Sequence, residues 1–328
     1  MNHKTTPTAA LQTPLTTMFG LSTPILSAPM AFAAGGKLAA EVSRQGGLGI
    51  IGGGYGDTSW LEEEIKLASD EPFAVGFITW SLSKKPELLT RILQYKPVAI
   101  MLSFGDPRPF SQEIKAANTK LICQCQTIAH VAQAVEAGAD VVVAQGTEAG
   151  GHGSLRSLMT FIPEAADYLQ AHAPNTVLVS AGGIADGRGL AASLMLGAHG
   201  VLIGTRFWAS KESLVHPNHH QSILETDGDG TIRTTVPDVV RSLDWPEEFT
   251  VRVRHNAFTR RWHGQENAMR EQLETLTPAY IEASSQGDTE NAGVFFGEAA
   301  GLIHRIDSVE TIMNDITQQA LTLLTSRC

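Results

Sequence analysis

Short apolar runs recur along the first two thirds of the sequence. They are Pro24–Ala28, Leu48–Ile51, Phe73–Ile78, Val98–Leu102, Leu121–Cys125, Val141–Gln145, Val177–Ala181 and Gly200–Ile203. They are rich in Val, Ile and Leu on both faces, the pattern of strands buried on both sides. Amphipathic stretches with helical spacing lie between them, among them Ser59–Ser69, Pro86–Gln94, Ile128–Ala137 and Gly187–Leu196. Strands alternating with helices predict a parallel α/β architecture. Eight such runs before residue 205 is the number that closes a (β/α)8 TIM barrel. A doubly wound sheet is the structural rival. It is disfavoured because no first-turn G-x-G-x-x-G with a following acidic residue is present. The string Gly52-Gly53-Gly54-Tyr55-Gly56 follows the second run but opens no dinucleotide fingerprint.

The pattern changes after Gly204–Ser210. Residues 211–300 carry most of the helical charge pairs and no regular strand alternation, so they read as a mostly helical insertion after the eighth strand. Val309–Thr325 is the last periodic segment and fits a closing barrel helix. The expected organisation is a barrel core over 1–210, a substrate-covering insertion over 211–304 and a C-terminal helix within 305–328 that packs back on the barrel.

Composition narrows the function. The chain has 328 residues, 43% of them hydrophobic, enough to bury a large core. Its 31 glycines and low aromatic content of 6% suit many tight strand-to-helix turns. Lys+Arg is 24 against 34 Asp+Glu, a net charge of −10 with no basic run. Such a chain is a poor partner for nucleic acid or an anionic membrane surface. Three cysteines exclude a disulfide scaffold, and Cys123 and Cys125 lack the spacing of a zinc or C-x-x-C site. The segment Met1–Thr17 is polar, without the apolar stretch of a signal peptide, and no run is long enough to span a bilayer. A cytoplasmic location is expected.

The strongest chemical signal is Ala144-Gln145-Gly146-Thr147-Glu148-Ala149-Gly150-Gly151-His152-Gly153, at the C-terminal end of the sixth run. Barrel active sites sit on that face. The segment Gly146–Met159 is too glycine-rich for a helix and too long for a simple connection. His152 fits either a turn cap or an acid–base group near neutral pH, and the loop favours the second. Two further strand ends, Ser180-Ala181-Gly182-Gly183-Ile184 and Gly204-Thr205-Arg206, have the glycine turns that hold a phosphate through backbone N–H groups. Asp186 is placed to cap the following helix. Strand alternation puts Gln124 and Gln126 on one face and the two cysteines on the other. Gln124 then faces the barrel axis, where its amide can donate to a ligand. Ala28-Pro29-Met30 ends the first run, and Met30 could cover a flat ring.

Other features read as structure. His216, His219 and His220 lack a carboxylate to complete a metal site, and Asp227-Gly228-Asp229-Gly230 reads as a turn rather than a calcium loop. Arg252, Arg254, Arg260 and Arg261 with Trp262 form a basic stretch, which either faces an anionic substrate or solvates a helix.

Taken together these strings resemble the nitronate monooxygenase family, also called 2-nitropropane dioxygenase-like proteins. The resemblance rests on Pro24–Met30, Gly46-Gly47-Leu48-Gly49, Gln145–His152, Ala181–Ile184, Ile203–Phe207, Arg254–Phe258 and Gly297–Ile303. It implies a TIM-barrel flavoprotein that binds FMN and no metal. It implies oxidation of alkyl nitronates or nitroalkanes by O2 to a carbonyl compound and nitrite. Ala28, Pro29 and Met30 would line the flavin ring, with Gln145, Gly150 and Gly151 also in contact. Gly182, Gly183, Gly204 and Thr205 would hold the phosphate, and His152 would be the base. Thr79 stands where many members have Asn, and Gln124 where many have Lys; both are expected at the cofactor. A homodimer is one expectation. Three rivals share parts of this pattern. One is an NAD(P)H-dependent FMN quinone or enoyl-thioester reductase, and another a non-catalytic flavin-binding protein. The third is an inosinate-type nucleotide dehydrogenase, which would need a catalytic Cys on a mobile loop.

Overall fold

The computed structural model describes residues 11–68 and 70–326. Ser69, Cys328 and the first ten residues of the polar N-terminal segment lie outside the described residues. All eight apolar runs form parallel strands: β1 (Ile25–Ser27), β2 (Gly49–Gly52), β3 (Phe73–Ile78), β4 (Ala99–Ser103), β5 (Lys120–Cys125), β6 (Val141–Gln145), β8 (Val177–Ala181) and β9 (Val201–Ile203). Their order is β1-β9-β8-β6-β5-β4-β3-β2. The ring closes between β1 and β2 through the single bridge Leu26–Leu48, with Leu48 N to Ile25 O at 3.0 Å and Ser27 N to Leu48 O at 3.1 Å. The fold is a TIM barrel.

Side-chain alternation sorts the strands into two cores. Leu26, Leu48, Ile50, Met101, Ile122, Val143, Val179 and Leu202 fill the barrel interior, with Leu15 of the helix Pro14–Phe19 in the same cluster. Ile51, Val75, Ile100, Leu121, Cys123, Cys125 and Val142 point outward into the helix layer. Burial pushes the Cys123 thiol up to about 12 and Cys125 also well up, so both stay protonated hydrophobes. The helix Val309–Thr325 packs against the helix Gly187–Met195 and buries Ile312, Met313, Ile316 and Ala320. Among the described residues, no helix is long and apolar enough to cross a membrane.

The segment after β9 is richer in strands than its sequence pattern predicts. Short helices dominate it, but β10 (Thr231–Thr234) and β11 (Thr250–Arg254) pair antiparallel within it. A third strand, β7 (Gly151–Gly153), comes from the glycine-rich loop and adds to β11. The reason is local. Thr250-Val251-Arg252-Val253-Arg254 alternates, burying Val251 and Val253 on one face, while its arginines mimic the charge pattern of a helix. Arg252 and Arg254 are therefore strand residues, and only Arg260 and Arg261 lie on a helix, Ala257–Trp262. Asp227 caps a 3-10 turn, with Oδ1 accepting from Gly230 N at 3.0 Å, as the turn reading expects.

Candidate active site

A cavity of ≈ 390 Å³ opens at the C-terminal ends of the barrel strands, within the size range of small-molecule sites. Its wall includes Ala28, Pro29, Met30, Gln124, Gln145, Gly150, Gly151, His152, Gly182, Gly183, Gly204 and Thr205. Thr79 is the exception among the residues singled out from sequence. It is 2% exposed, opens the helix Thr79–Leu82, and lies off the wall; Ile78 lines the cavity instead. The strand alternation that points Phe77 outward to the helix layer brings Ile78 to the cavity, and the turn into the helix buries Thr79.

His152 is held on three sides. Its Nε2 stands 2.9 Å from Asp238 Oδ2, and both side chains are nearly buried. Trp245 stacks on the imidazole, with ring centroids 3.4 Å apart and planes 6° from parallel. Phe104 approaches edge-on at 6.2 Å. Burial lowers the His152 pKa, and the Asp238 carboxylate opposes that only in part. The imidazole is thus neutral near pH 7. A carboxylate accepts, so Nε2 carries the hydrogen and Nδ1 keeps a lone pair. Asp238 Oδ1 accepts from Arg241 Nη2 at 3.0 Å.

The loop that carries His152 is pinned from both sides. Gln145 Nε2 donates to His152 O at 3.0 Å, and Gln126 Nε2 donates to Gln145 Oε1 at 3.0 Å. From β10, Arg233 donates to Thr147 O at 3.0 Å and to Thr250 O at 2.8 Å. From β11, Arg252 donates to Thr147 O at 3.0 Å and pairs with Glu298 at 2.9 Å. Burial brings Arg233 down to about 10, still charged at neutral pH. Of the basic stretch, Arg252 holds a carbonyl of the loop, while Arg254 and Arg260 pair with Glu290. Glu148 accepts from Leu158 N at 3.0 Å, closing the loop onto the next helix. Gly150 has no room for a side chain: a Cβ there would lie 2.5 Å from Gly297 N.

The glycine turns form the wall next to this loop, with Gly146 N donating to Ala181 O at 2.8 Å. Gly182 (φ 113°) and Gly183 (φ 69°) adopt backbone that side-chain-bearing residues rarely take, leaving their peptide edges bare toward the cavity. Thr205 Oγ1 accepts from Gly297 N at 3.0 Å. Arg206 turns away from this wall, pairing with Asp307 at 2.5 Å and donating to Arg305 O at 3.0 Å. Asp186 caps its helix by accepting from Arg188 N at 2.9 Å. Gln124 lines the cavity, and its Nε2 is buried with no protein partner. Ser103, which pairs with Gln124 in register across β4 and β5, has a buried unpartnered Oγ on the same wall. An unpaired buried amide costs about 1–3 kcal/mol, so these atoms mark a place built for a polar ligand.

The histidine cluster divides. His216 caps the helix Pro217–Leu224, His220 bonds Trp208 O at 3.0 Å, and His219 reaches the cavity wall. Burial lowers His219 to about 4. Asp238, Arg241, Trp245 and Tyr55 were not legible as site residues. Asp238 alone carried a signal, as the lone acid in the apolar run Val236-Pro237-Asp238-Val239-Val240.

Comparison with known proteins now bears on this geometry. The nitronate monooxygenase family model matches residues 12–87 and 78–319. The chain belongs to the nitronate monooxygenase family. Members of this family are oxidoreductases. Among its relatives is nitronate monooxygenase npaC of Metarhizium robertsii, 32% identical over 92% of this chain and 92% of that protein. Another is a (3aS,4S,5R,7aS)-5-hydroxy-7a-methyl-1-oxo-octahydro-1H-indene-4-carboxyl-CoA dehydrogenase of Mycobacterium tuberculosis, 27% identical over 96% of this chain and 97% of that one. The solved structure of FabK from Thermotoga maritima superposes with a TM-score of 0.85 at 31% identity, covering 96% of this chain and 98% of that chain.

Proposed function

We propose that this family member binds FMN and oxidises alkyl nitronates or nitroalkanes with O2, releasing a carbonyl compound and nitrite. The observation that carries the reading is the Asp238-bonded imidazole of His152 on the wall of a cavity that is also lined by glycine backbone. The residues suit FMN. Gly182, Gly183, Gly204 and Thr205 would hold its phosphate through backbone and hydroxyl groups. Ala28, Pro29, Met30, Gly150 and Gly151 would leave a flat face for its ring, and Gln145 and Gln124 would supply amide groups, the Gln124 Nε2 finding there the partner it lacks. Bound FMN supplies the electron-accepting and oxygen-reactive chemistry that no side chain here offers.

The chain's own part is proton handling and orientation. His152 Nδ1 takes the α-proton when the substrate arrives as a neutral nitroalkane. The buried charge pair with Asp238 stabilises the imidazolium that this step creates. When the substrate arrives as a nitronate, no proton need leave and His152 orients it. The wall of Trp245, Phe104 and Tyr55 limits water at the reacting carbon.

The test is an anaerobic visible spectrum of the purified protein, recorded before and after propionate 3-nitronate and, separately, NADPH. A flavin spectrum altered by the nitronate alone supports the reading. Bleaching by NADPH assigns a reductase instead, and protein that cannot be loaded with FMN refutes both. His152→Asn with FMN retained is expected to lose turnover of neutral nitroalkanes; full activity would overturn the base assignment.

A further inference from the structure

We propose that Tyr55 and Arg241 form the site for the substrate's nitro oxygens, opposite the base. The proposal rests on the nitroalkane and nitronate reading above and adds to it the groups that take up the developing negative charge.

The motif Gly52-Gly53-Gly54-Tyr55-Gly56 begins at the last residue of β2. The glycines are spatially required. A Cβ at Gly53 would lie 2.7 Å from Gly76 O, and Gly54 and Gly56 hold φ of 52° and 84°. This tight turn at the end of β2 delivers Tyr55 to the cavity wall. There its Oη accepts from Trp245 Nε1 at 3.1 Å. Among the described residues, nothing accepts the Tyr55 O–H. The phenol is therefore a donor without a partner on the wall of the cavity.

Arg241 is its counterpart. Nε donates to Pro237 O at 2.7 Å and Nη2 to Asp238 Oδ1 at 3.0 Å. The guanidinium also hydrogen-bonds the Tyr55 phenol, so its charge stands directly behind that hydroxyl, and the side chain lines the same cavity. Both groups are tied to His152 through one intervening residue. Trp245 stacks on the imidazole and donates to Tyr55; Asp238 bonds the imidazole through Oδ2 and Arg241 through Oδ1. One carboxylate and one indole thus join the base, the phenol and the guanidinium in a single network. Burial raises the Tyr55 pKa, while the Arg241 charge moderates the rise, so the phenol keeps its proton at working pH.

A substrate that matches has an acidic C–H next to a group able to take the charge on oxygen. In a nitroalkane the α-C–H bond breaks and its proton forms an N–H bond at His152 Nδ1. The freed electron pair becomes a C=N bond, and a nitro N=O becomes N–O⁻. Tyr55 O–H donates to those oxygens with the Arg241 charge behind it, and the interaction strengthens as the charge forms. The step needs no oxidant.

Tyr55→Phe tests this in the FMN-loaded enzyme. Two quantities are read: kcat/KM on nitroethane and on ethyl nitronate in air, and α-C–H exchange of nitroethane in D2O without O2. A hydrogen bond to a charged oxygen contributes about 1.5–3 kcal/mol, or roughly 10- to 150-fold. Nitroethane turnover and exchange are expected to fall together by that factor. On ethyl nitronate KM rises while kcat changes less. Should Tyr55→Phe fail to fold, Tyr55→Met fills similar space without the hydroxyl. Wild-type turnover with an unchanged hydroxyl-free variant overturns the oxyanion role alone. A wild type that turns over neither substrate overturns the functional reading and this role with it.

Discussion

Asp238→Asn separates the two jobs the structure gives to one carboxylate. Oδ1 accepts from Arg241 at 3.0 Å and Oδ2 from His152 at 2.9 Å. An Asn has one acceptor oxygen. If that oxygen stays with the always-charged guanidinium, the amide NH2 faces His152 Nε2. Nε2 must then accept, the hydrogen moves to Nδ1, and the lone pair needed for proton removal is gone. If the amide flips, two donors meet at Arg241. Loss of the charge-assisted bond alone is worth about 1.5–3 kcal/mol, or roughly 10- to 150-fold. The wrong tautomer raises the expected loss of kcat/KM on nitroethane to about 10²- to 10⁴-fold. Asp238 is also the influence that partly restores basicity to the buried His152. Removing it moves the acid limb of the pH profile to lower pH while lowering the plateau. Ethyl nitronate, which brings no proton to remove, should lose much less. The assay is oxygen uptake against pH for both substrates, with FMN content and Tm checked in each variant. A folded, FMN-loaded Asp238→Asn within about threefold of wild type on nitroethane would show that the His152–Asp238 bond does not set the base. So would an acid limb that moves up.

Three further outcomes follow from the same geometry. Gly150→Ala should weaken FMN retention and lower Tm by several degrees, because its Cβ meets the backbone at Gly297 N and Phe296 C, both at 2.5 Å. Gly151→Ala meets nothing within 4 Å and bears only the left-handed strain of φ 70°, about 1–2 kcal/mol, so thermal melts should rank it milder; the reverse order would refute the close approach of the two segments. Stability should fall as pH drops from about 6.5 toward 4, since burial lowers His152, His199, His219 and His220 and the unfolded chain then binds protons the native chain does not. Melts from pH 8 to 4.5 that show a rising Tm on acidification would contradict this. In a Cys328→Ser background, native Cys123 and Cys125 should resist a thiol reagent at pH 8 and react on unfolding; rapid native labelling would contradict their burial.

The barrel was legible because its strands are local statements. Val141-Val142-Val143 is apolar on both faces whatever surrounds it, and the turn glycines at 182 and 183 follow directly from the strand before them. The presence of the glycine turns and of His152 on the cavity wall was legible for the same reason. β11 was not, since its five residues alternate Val with Arg and the arginines read as a helix surface until their carbonyl partners on the His152 loop are seen. Thr79 was placed at the cofactor by its likeness to a family position. Its backbone enters a helix at that point, which turns it from the cavity wall.

The difference has a physical source. The barrel supplies a cradle from short-range pattern, but the groups that tune His152 arrive from the segment 86 and 93 residues later, Asp238 and Trp245. Neither sits in a motif of its own. Asp238 follows a proline in an apolar helix, and Trp245 lies in an irregular stretch before β11. The two meet the imidazole because β7 is drawn out of its loop to pair with β11, with His152 in register with Val251. That pairing joins the insertion to the His152 loop in one sheet. A substitution that weakens β11, such as Val251→Thr in its buried face, should therefore lower nitroethane turnover through the position of His152. FMN retention, which the proposed function assigns to the glycine wall, should change little. Loss of FMN before loss of turnover would place the coupling on the wrong side of the cavity.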